Sequence, residues 1–324
     1  MRPTLLAALL SAATLAFTGN AIAQANFPSR TITLVVGFAP GGATDASARI
    51  IAKKLSENLG QSVVVDNRPG AGGTVAHQMV ANATPDGYTI LMGSIGPLSI
   101  APHLIAKLPY DPQKDLAPLT MGVVFPNVLV VHAGVPAKSL AEYVALARQK
   151  PGSLTFASTG IGSAAHLAGE LFNSRAGVDT THIPYKGGGP AMTDLLGGRI
   201  TSYYSTPSTA GPHVDSGKLR ALASTGLARS PMMPNVPTVA ESGYPGFEAT
   251  NWYAFVAPGK MPVELLDRWN RELVGVLKSP DIREKLLQRG LEPMPGTRED
   301  LAGYIRKETE VWGKVIKAAK ITAE

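Results

Sequence analysis

The sequence predicts an α/β fold in two halves, each built on a mainly parallel sheet. Three observations carry that expectation. Short β-branched runs alternate with helix-periodic stretches, the pattern of βαβ units. A glycine-rich turn follows the first strand of each half, PGGA at 40–43 and GIGS at 160–163. The length of 324 residues suits about two domains.

In the first half, residues 31–38 (TITLVVGF) read as a buried strand. Residues 45–59 follow as a helix, with Ala46, Ile50, Ile51, Leu55 and Leu59 near helical spacing and Gly60 to end it. Residues 62–66, 74–82 and 88–92 then read as strand, helix and strand. The run 123–125 continues through 128–132 as a strand that leaves this half, broken at Pro126-Asn127. A second cycle has helix 140–149, strand 154–157, helix 164–175, strand 180–184, helix 190–196 and strands 200–205 and 219–224. The prolines of 229–245 disfavour a helix there. Strand 251–257 and three amphipathic helices, at 262–278, 281–289 and 298–319, finish the chain.

Composition excludes several function classes. The chain is 44% hydrophobic and 17% charged, which reads as globular rather than disordered. Its 34 glycines and 26 prolines imply many turns. With no cysteine, a disulfide scaffold, a zinc ribbon, a cysteine nucleophile and an Fe–S cluster are all excluded. The formal charge of +6 is scattered, so no nucleic-acid surface is expected. Residues 1–25 read as a signal peptide: Arg2, an apolar stretch at 5–17 too short to span a bilayer, and small-x-small sites that place cleavage after Ala23 or Ala25. No cysteine is available for a lipid anchor, and no later segment is long and apolar enough to span. The expectation is a free protein in a bacterial periplasm, away from ATP and nicotinamide cofactors.

The turns supply the candidate site. In 38–45 (FAPGGATD), Phe38 and Ala39 lead into Gly41 and Gly42, which tolerate positive φ and let a ligand approach the backbone. The amides of Gly41, Gly42, Ala43 and Thr44 are helix-start donors suited to a carboxylate or phosphate. Asp45 is expected to cap or brace the turn, because its charge would repel an anion. Residues 157–166 (ASTGIGSAAH) repeat the arrangement and add the hydroxyls of Ser158, Thr159 and Ser163. The spacing Gly160-x-Gly162-x-x-Ala165 also fits a loose dinucleotide fingerprint, with Asp179 near the ribose position, but export argues against it. A third glycine cluster follows Tyr185 and Lys186; that lysine is the one cation in these loops, and a surface lysine is the commoner reading.

No G-x-S-x-G elbow is present. Ser163 and His166 are close in sequence, but spacing cannot show that the imidazole reaches the hydroxyl. His166 and Glu170 (i,i+4) offer two metal ligands where a site needs three or four. No catalytic residue, metal or cofactor is therefore assigned.

Six strings in order resemble the Bug/TctC family, the periplasmic solute-binding components of tripartite tricarboxylate transporters. They are PSRTITLVVGFAPGGATDASAR, VVVDNRPGAGGTVA, ATPDGYTILMGS, LTFASTGIGSAAHLAGELF, HIPYKGGGPAMTDLLGGRI and NWYAFVAPGKMP. The resemblance runs from about Phe27 to the C-terminus. It implies a two-domain periplasmic binding protein fold (type II, Venus flytrap) with two chain crossovers, residues 26–125 with 226–324 in one domain and 126–225 in the other. It implies a monomeric, non-enzymatic protein that closes on a small carboxylate, an aliphatic di- or tricarboxylate, an amino acid or an aromatic acid, and delivers it to membrane permease subunits. The Gly41-Gly42 loop would grip one carboxylate through backbone amides and waters. The stretch from Ser158 through Gly160 to Ser163, with His166, would take the other side. Ser94, Tyr185, Lys186 and Ser205 are expected as further walls. Tyr203, Tyr204, Trp252 and Tyr253 could line an aromatic ligand's pocket, although strand aromatics more often belong to the core. A ligand-sensing protein feeding a receptor and an exported hydrolase remain as other roles.

Overall fold

A computed structural model describes residues 27–322; the expected signal peptide and its cleavage sites lie outside the described residues. The first half begins β1 (Ile32–Val36), α1 (Ala43–Leu59), β2 (Val63–Asn67), α2 (Thr74–Ala81) and β3 (Thr89–Ser94). A π-helical turn at Gly96–Ile100 and the short α3 (Ala101–Leu104) precede the long β4 (Leu116–Pro126). The second half comprises β5 (Val128–His132), α4 (Leu140–Gln149), β6 (Thr155–Ser158), α5 (Ala164–Ala176), β7 (Thr181–Pro184), α6 (Gly188–Leu196), β8 (Ser202–Ser205), α7 (Pro207–Asp215) and β9 (Leu219–Ser224). The chain then returns through β10 (Thr250–Pro258), α8 (Val263–Lys278), α9 (Pro280–Leu287), β11 (Glu292–Pro293) and α10 (Arg298–Ala319).

The two sheets run β11-β4-β10-β3-β1-β2 and β7-β6-β8-β5-β9. In the first, β1 lies parallel to β2 and β3, while β10 is antiparallel to β3 and β4. In the second, β6 lies parallel to β7 and β8, while β5 is antiparallel to β8 and β9. Ile32, Leu34, Val35 and Val36 are all fully buried, as a strand covered on both faces must be. Alternation divides them: Ile32, Leu34 and Val36 join one apolar cluster and Val35 the other. Each such side chain contributes about 1.5–3 kcal/mol relative to exposure.

The turn at Gly96–Ile100, α3 and β11 lie where the sequence reading assigns no element, and two larger elements also depart from it. β4 begins at Leu116, well before 123, and α7 occupies a stretch, with Pro207, Gly211 and Pro212, to which the sequence reading assigns no element. Pro207 stands in the first turn of that helix, where its missing N–H costs nothing.

The chain crosses between sheets at Asn127, and the return crossing runs into β10. Thr225 ties the two crossings together. Its N–H donates to Asn127 O at 2.9 Å, the Asn127 N–H donates to its Oγ1 at 2.9 Å, and its hydroxyl donates to Ala249 O at 2.8 Å. The segment before β10 packs on the second half: Thr238 bridges Ser224, and Phe247 meets Phe172 edge-on at 6.3 Å.

Candidate functional site

Four helix N-termini converge on one enclosed cavity between the sheets. Gly42, Ala43 and Thr44 bring the start of α1; Ser163, Ala164 and Ala165 that of α5; Gly188 that of α6; Thr206 and Thr209 that of α7. Each helix is nine residues or longer and starts with N–H groups that have no partner within the helix, one of them capped by Ser163 in α5, so the cavity carries a positive potential. None of the residues lining it is charged. The enclosed space measures about 30 Å³, and a wider groove of about 650 Å³ beside it shares Gly42, Ala43 and Thr209.

Local sequence explains how the first loop holds its shape. Gly41 takes φ of 86°, open to glycine at little cost, and Gly42 sits extended as the N-cap of α1. The Gly41 N–H donates to Asp45 Oδ2 at 3.2 Å, and Arg49 Nε donates to Asp45 Oδ1 at 3.0 Å. Burial opposes ionisation of Asp45, but the bonds from Arg49 and Gly41 outweigh it and hold its pKa below the ordinary carboxylate value. Asp45 thus braces the turn, and Gly41 faces the outer groove rather than the enclosed cavity.

Hydroxyls and amides complete the wall. Ser94, Thr159, Tyr203, Tyr204 and Tyr253 line it, joined by Asn127 and Asn251 from the two crossings. Burial raises all three tyrosine pKa values, that of Tyr253 to about 12, so each stays a neutral donor.

Of the expected residues, Phe38, Gly42, Ala43, Thr44, Ser94, Thr159 and Ser163 line the cavity. The others stand behind it or outside. The Ala39 N–H donates to Lys186 O across the two halves at 2.9 Å, and the Lys186 side chain is exposed. The Tyr185 hydroxyl donates to Asp194 Oδ2 at 2.8 Å. Ser205 Oγ is turned to Thr206 O at 3.3 Å. Ser158 Oγ accepts from the Gly160 N–H at 3.0 Å and lies 2.6 Å from His182 Nε2.

His166 is also structural. The Gly162 N–H donates to its Nδ1 at 3.2 Å, and its ring stacks on His182 at 4.1 Å. Burial depresses the pKa of His166 to about 4; burial and the neighbouring His166 depress that of His182 to about 3. Two neutral rings can stack this way, whereas two imidazolium ions would repel. The contact between Ser163 and His166 runs from the His166 backbone N–H to Ser163 Oγ at 3.3 Å, a helix cap rather than a nucleophile and its base. His166 Nε2 stands 4.0 Å from Glu170, and among the described residues no three such side chains gather as a metal site.

Sequence reading offers Tyr203, Tyr204 and Tyr253 only as possible walls, places Ala164, Ala165 and Gly188 within candidate loops without singling them out, and misses Thr206, Thr209, Asn127 and Asn251 altogether. The aromatic run YY at 203–204 was the one available signal. Trp252 does belong to the core, its Nε1 donating to Glu308 Oε2 at 3.2 Å.

Comparison with known proteins agrees with this geometry. The family model described as tripartite tricarboxylate transporter family receptor matches residues 47–321. The periplasmic binding protein BugD is 34% identical, with a TM-score of 0.88 over 91% of this chain and 99% of its own. A protein from R. palustris solved with adipate is 37% identical, with a TM-score of 0.89 over 92% and 99%. MatC from Rhodopseudomonas palustris, solved with bound malate, is 33% identical, with a TM-score of 0.86 over 90% and 100%. The fold is that of two-domain periplasmic binding proteins. The chain belongs to the tripartite tricarboxylate transporter receptors, the Bug/TctC solute-binding family.

Proposed function

We propose that this protein captures a small carboxylate in the periplasm, closes on it without chemical conversion, and delivers it to the membrane permease of a tripartite tricarboxylate transporter. The observation that carries this reading is the convergence of four helix N-termini on a cavity walled by no charged side chain. A carboxylate there accepts from backbone N–H groups and neutral hydroxyls. Each charge-assisted bond contributes about 1.5–3 kcal/mol. A cation would face the positive ends of the same dipoles. The relatives solved with adipate and malate support the same ligand class.

In this reading the amides of Gly42, Ala43 and Thr44 grip from one side, and those of Ser163, Ala164 and Ala165 from the other. Ligand bonds to both sides exist only in the closed form, so binding shifts the population toward closure. The moving bodies are residues 27–126 with 250–322, and 128–249. The expectation groups residues 226–249 with the first body; the contacts of Thr238 with Ser224 and of Phe247 with Phe172 support grouping them with the second. The outer groove, with His213 and Arg289 on its wall, provides the approach for an anion.

A thermal-shift screen of mono-, di- and tricarboxylates against neutral sugars tests the ligand class. A ligand at one hundred times its Kd stabilises by about 2.7 kcal/mol, a rise of several degrees in Tm. A sugar that raises Tm where no carboxylate does overturns the reading. Deleting the gene tests delivery: lost uptake of the bound acid supports it, and intact uptake removes it.

A further inference from the structure

We infer that the crossover asparagines Asn127 and Asn251 form a specificity element that reads a hydroxyl group on the bound carboxylate. The inference rests on the carboxylate-binding reading and adds a demand on the rest of the ligand. Asn127 lies at the first crossing and Asn251 at the start of β10, beside the second. They are 1% and 8% exposed, and both line the cavity. Asn251 Nδ2 reaches toward Asn127 Oδ1 at 3.5 Å. The outer atoms of the pair, Asn127 Nδ2 and Asn251 Oδ1, are buried without a hydrogen-bond partner in the protein.

Buried amide atoms are rarely left unpaired, so the pair is placed to take a partner from the cavity side. The pair offers one donor and one acceptor. That count does not depend on which way the amides are turned: exchanging O and N on both side chains leaves one donor and one acceptor facing inward. A hydroxyl matches both, accepting from the Nδ2 and donating to the Oδ1. A carboxylate oxygen can only accept, and an ammonium can only donate, so either leaves one amide atom unpaired. A ligand lacking the hydroxyl should bind roughly tenfold to a hundredfold more weakly. The position also matters for closure. Both residues sit where the two halves join, so the ligand touches the joint as well as the two closing faces.

The test is isothermal titration of the protein with succinate, malate and aspartate, one four-carbon skeleton carrying hydrogen, hydroxyl or ammonium at C2. The pair butyrate and 4-hydroxybutyrate extends it to monocarboxylates. The wild type is expected to bind the hydroxylated member of a pair at least tenfold more tightly than its parent. In Asn251→Asp, and separately in Asn127→Asp, both inward atoms accept, so the hydroxyl advantage should shrink toward unity and the ranking shift toward aspartate. Circular dichroism and ligand-free Tm confirm that the near-isosteric variants fold. Equal affinities within each pair, or an unchanged ratio in both folded variants, overturn the assignment while leaving carboxylate binding intact. Failure of every carboxylate, in this set and in the wider screen, overturns both.

Discussion

Closure should fail when one methyl group is added to Gly96, although that position touches neither ligand nor strained backbone. A Cβ built at Gly96 lies 2.6 Å from the Gly162 carbonyl oxygen of the other half, where ordinary contact begins near 3.4 Å. The shortfall is about 0.8 Å, and the atom opposite is backbone, which cannot swing aside. Overpacking of this kind costs about 1–3 kcal/mol. On the proposed closing motion the cost falls on the closed form, because opening would separate the two surfaces. Gly96 has no positive φ and opens a helical turn, so alanine there should leave the open protein equally stable or slightly better. Gly96→Ala is therefore expected to raise the Kd of whichever carboxylate binds best by roughly 5- to 150-fold at unchanged ligand-free Tm. Gly275→Ala, on α8 with nothing within 4 Å of the new methyl, is the matched control. Titration calorimetry reads the affinity, and small-angle scattering of the ligand-saturated protein reads the compaction. A variant that binds within twofold of wild type and compacts equally would refute the contact between the halves as the closing surface.

Other expectations follow from the supporting shell. Ser163→Ala removes the side-chain cap of α5 and should cost about 0.5–2 kcal/mol in urea unfolding, besides deleting a cavity hydroxyl; unchanged stability would contradict the cap. Lys186→Ala should leave affinity within twofold, because the residue's carbonyl, not its exposed ammonium, meets Ala39; a tenfold loss would restore the lysine as a ligand partner. Stability should fall as pH drops below about 6.5. Burial holds His77 and His166 near a pKa of about 4, and burial with the His166 charge holds His182 near about 3, whereas all three titrate near 6.5 when unfolded. The unfolded chain then takes up protons first, so the stabilisation is complete above pH 6.5. It declines by up to about 1.4 kcal/mol per pH unit for each histidine until its folded pKa is reached. Glu170, raised by burial, titrates in the opposing direction. Urea melts at pH 7.5, 6 and 5 measure this slope, and a flat profile would rule it out.

What the sequence made legible was what local chemistry dictates. β1 and α1 follow from an apolar β-branched run and a helical period, and the glycine turn between them marks a helix start aimed at a ligand. The sequence reading starts β4 only at 123, and Pro118 and Gly122 interrupt the apolar β-branched pattern before that point. In the sheet, Pro118 sits at a register shift opposite Val256, where a missing N–H interrupts no regular ladder. α7 was hidden by its prolines, and with it went Thr206 and Thr209. The loops were found because their glycines and hydroxyls lie within ten residues of one another. Asn127 and Asn251 stand 124 positions apart and meet only because the chain crosses twice. Neither asparagine carries a local signal, since a lone Asn beside Pro126 reads as a turn. The anion grip is thus a property of short segments, while the part of the wall that would select among anions is a property of topology. Two chains that share every glycine loop can therefore differ in ligand through one crossover side chain.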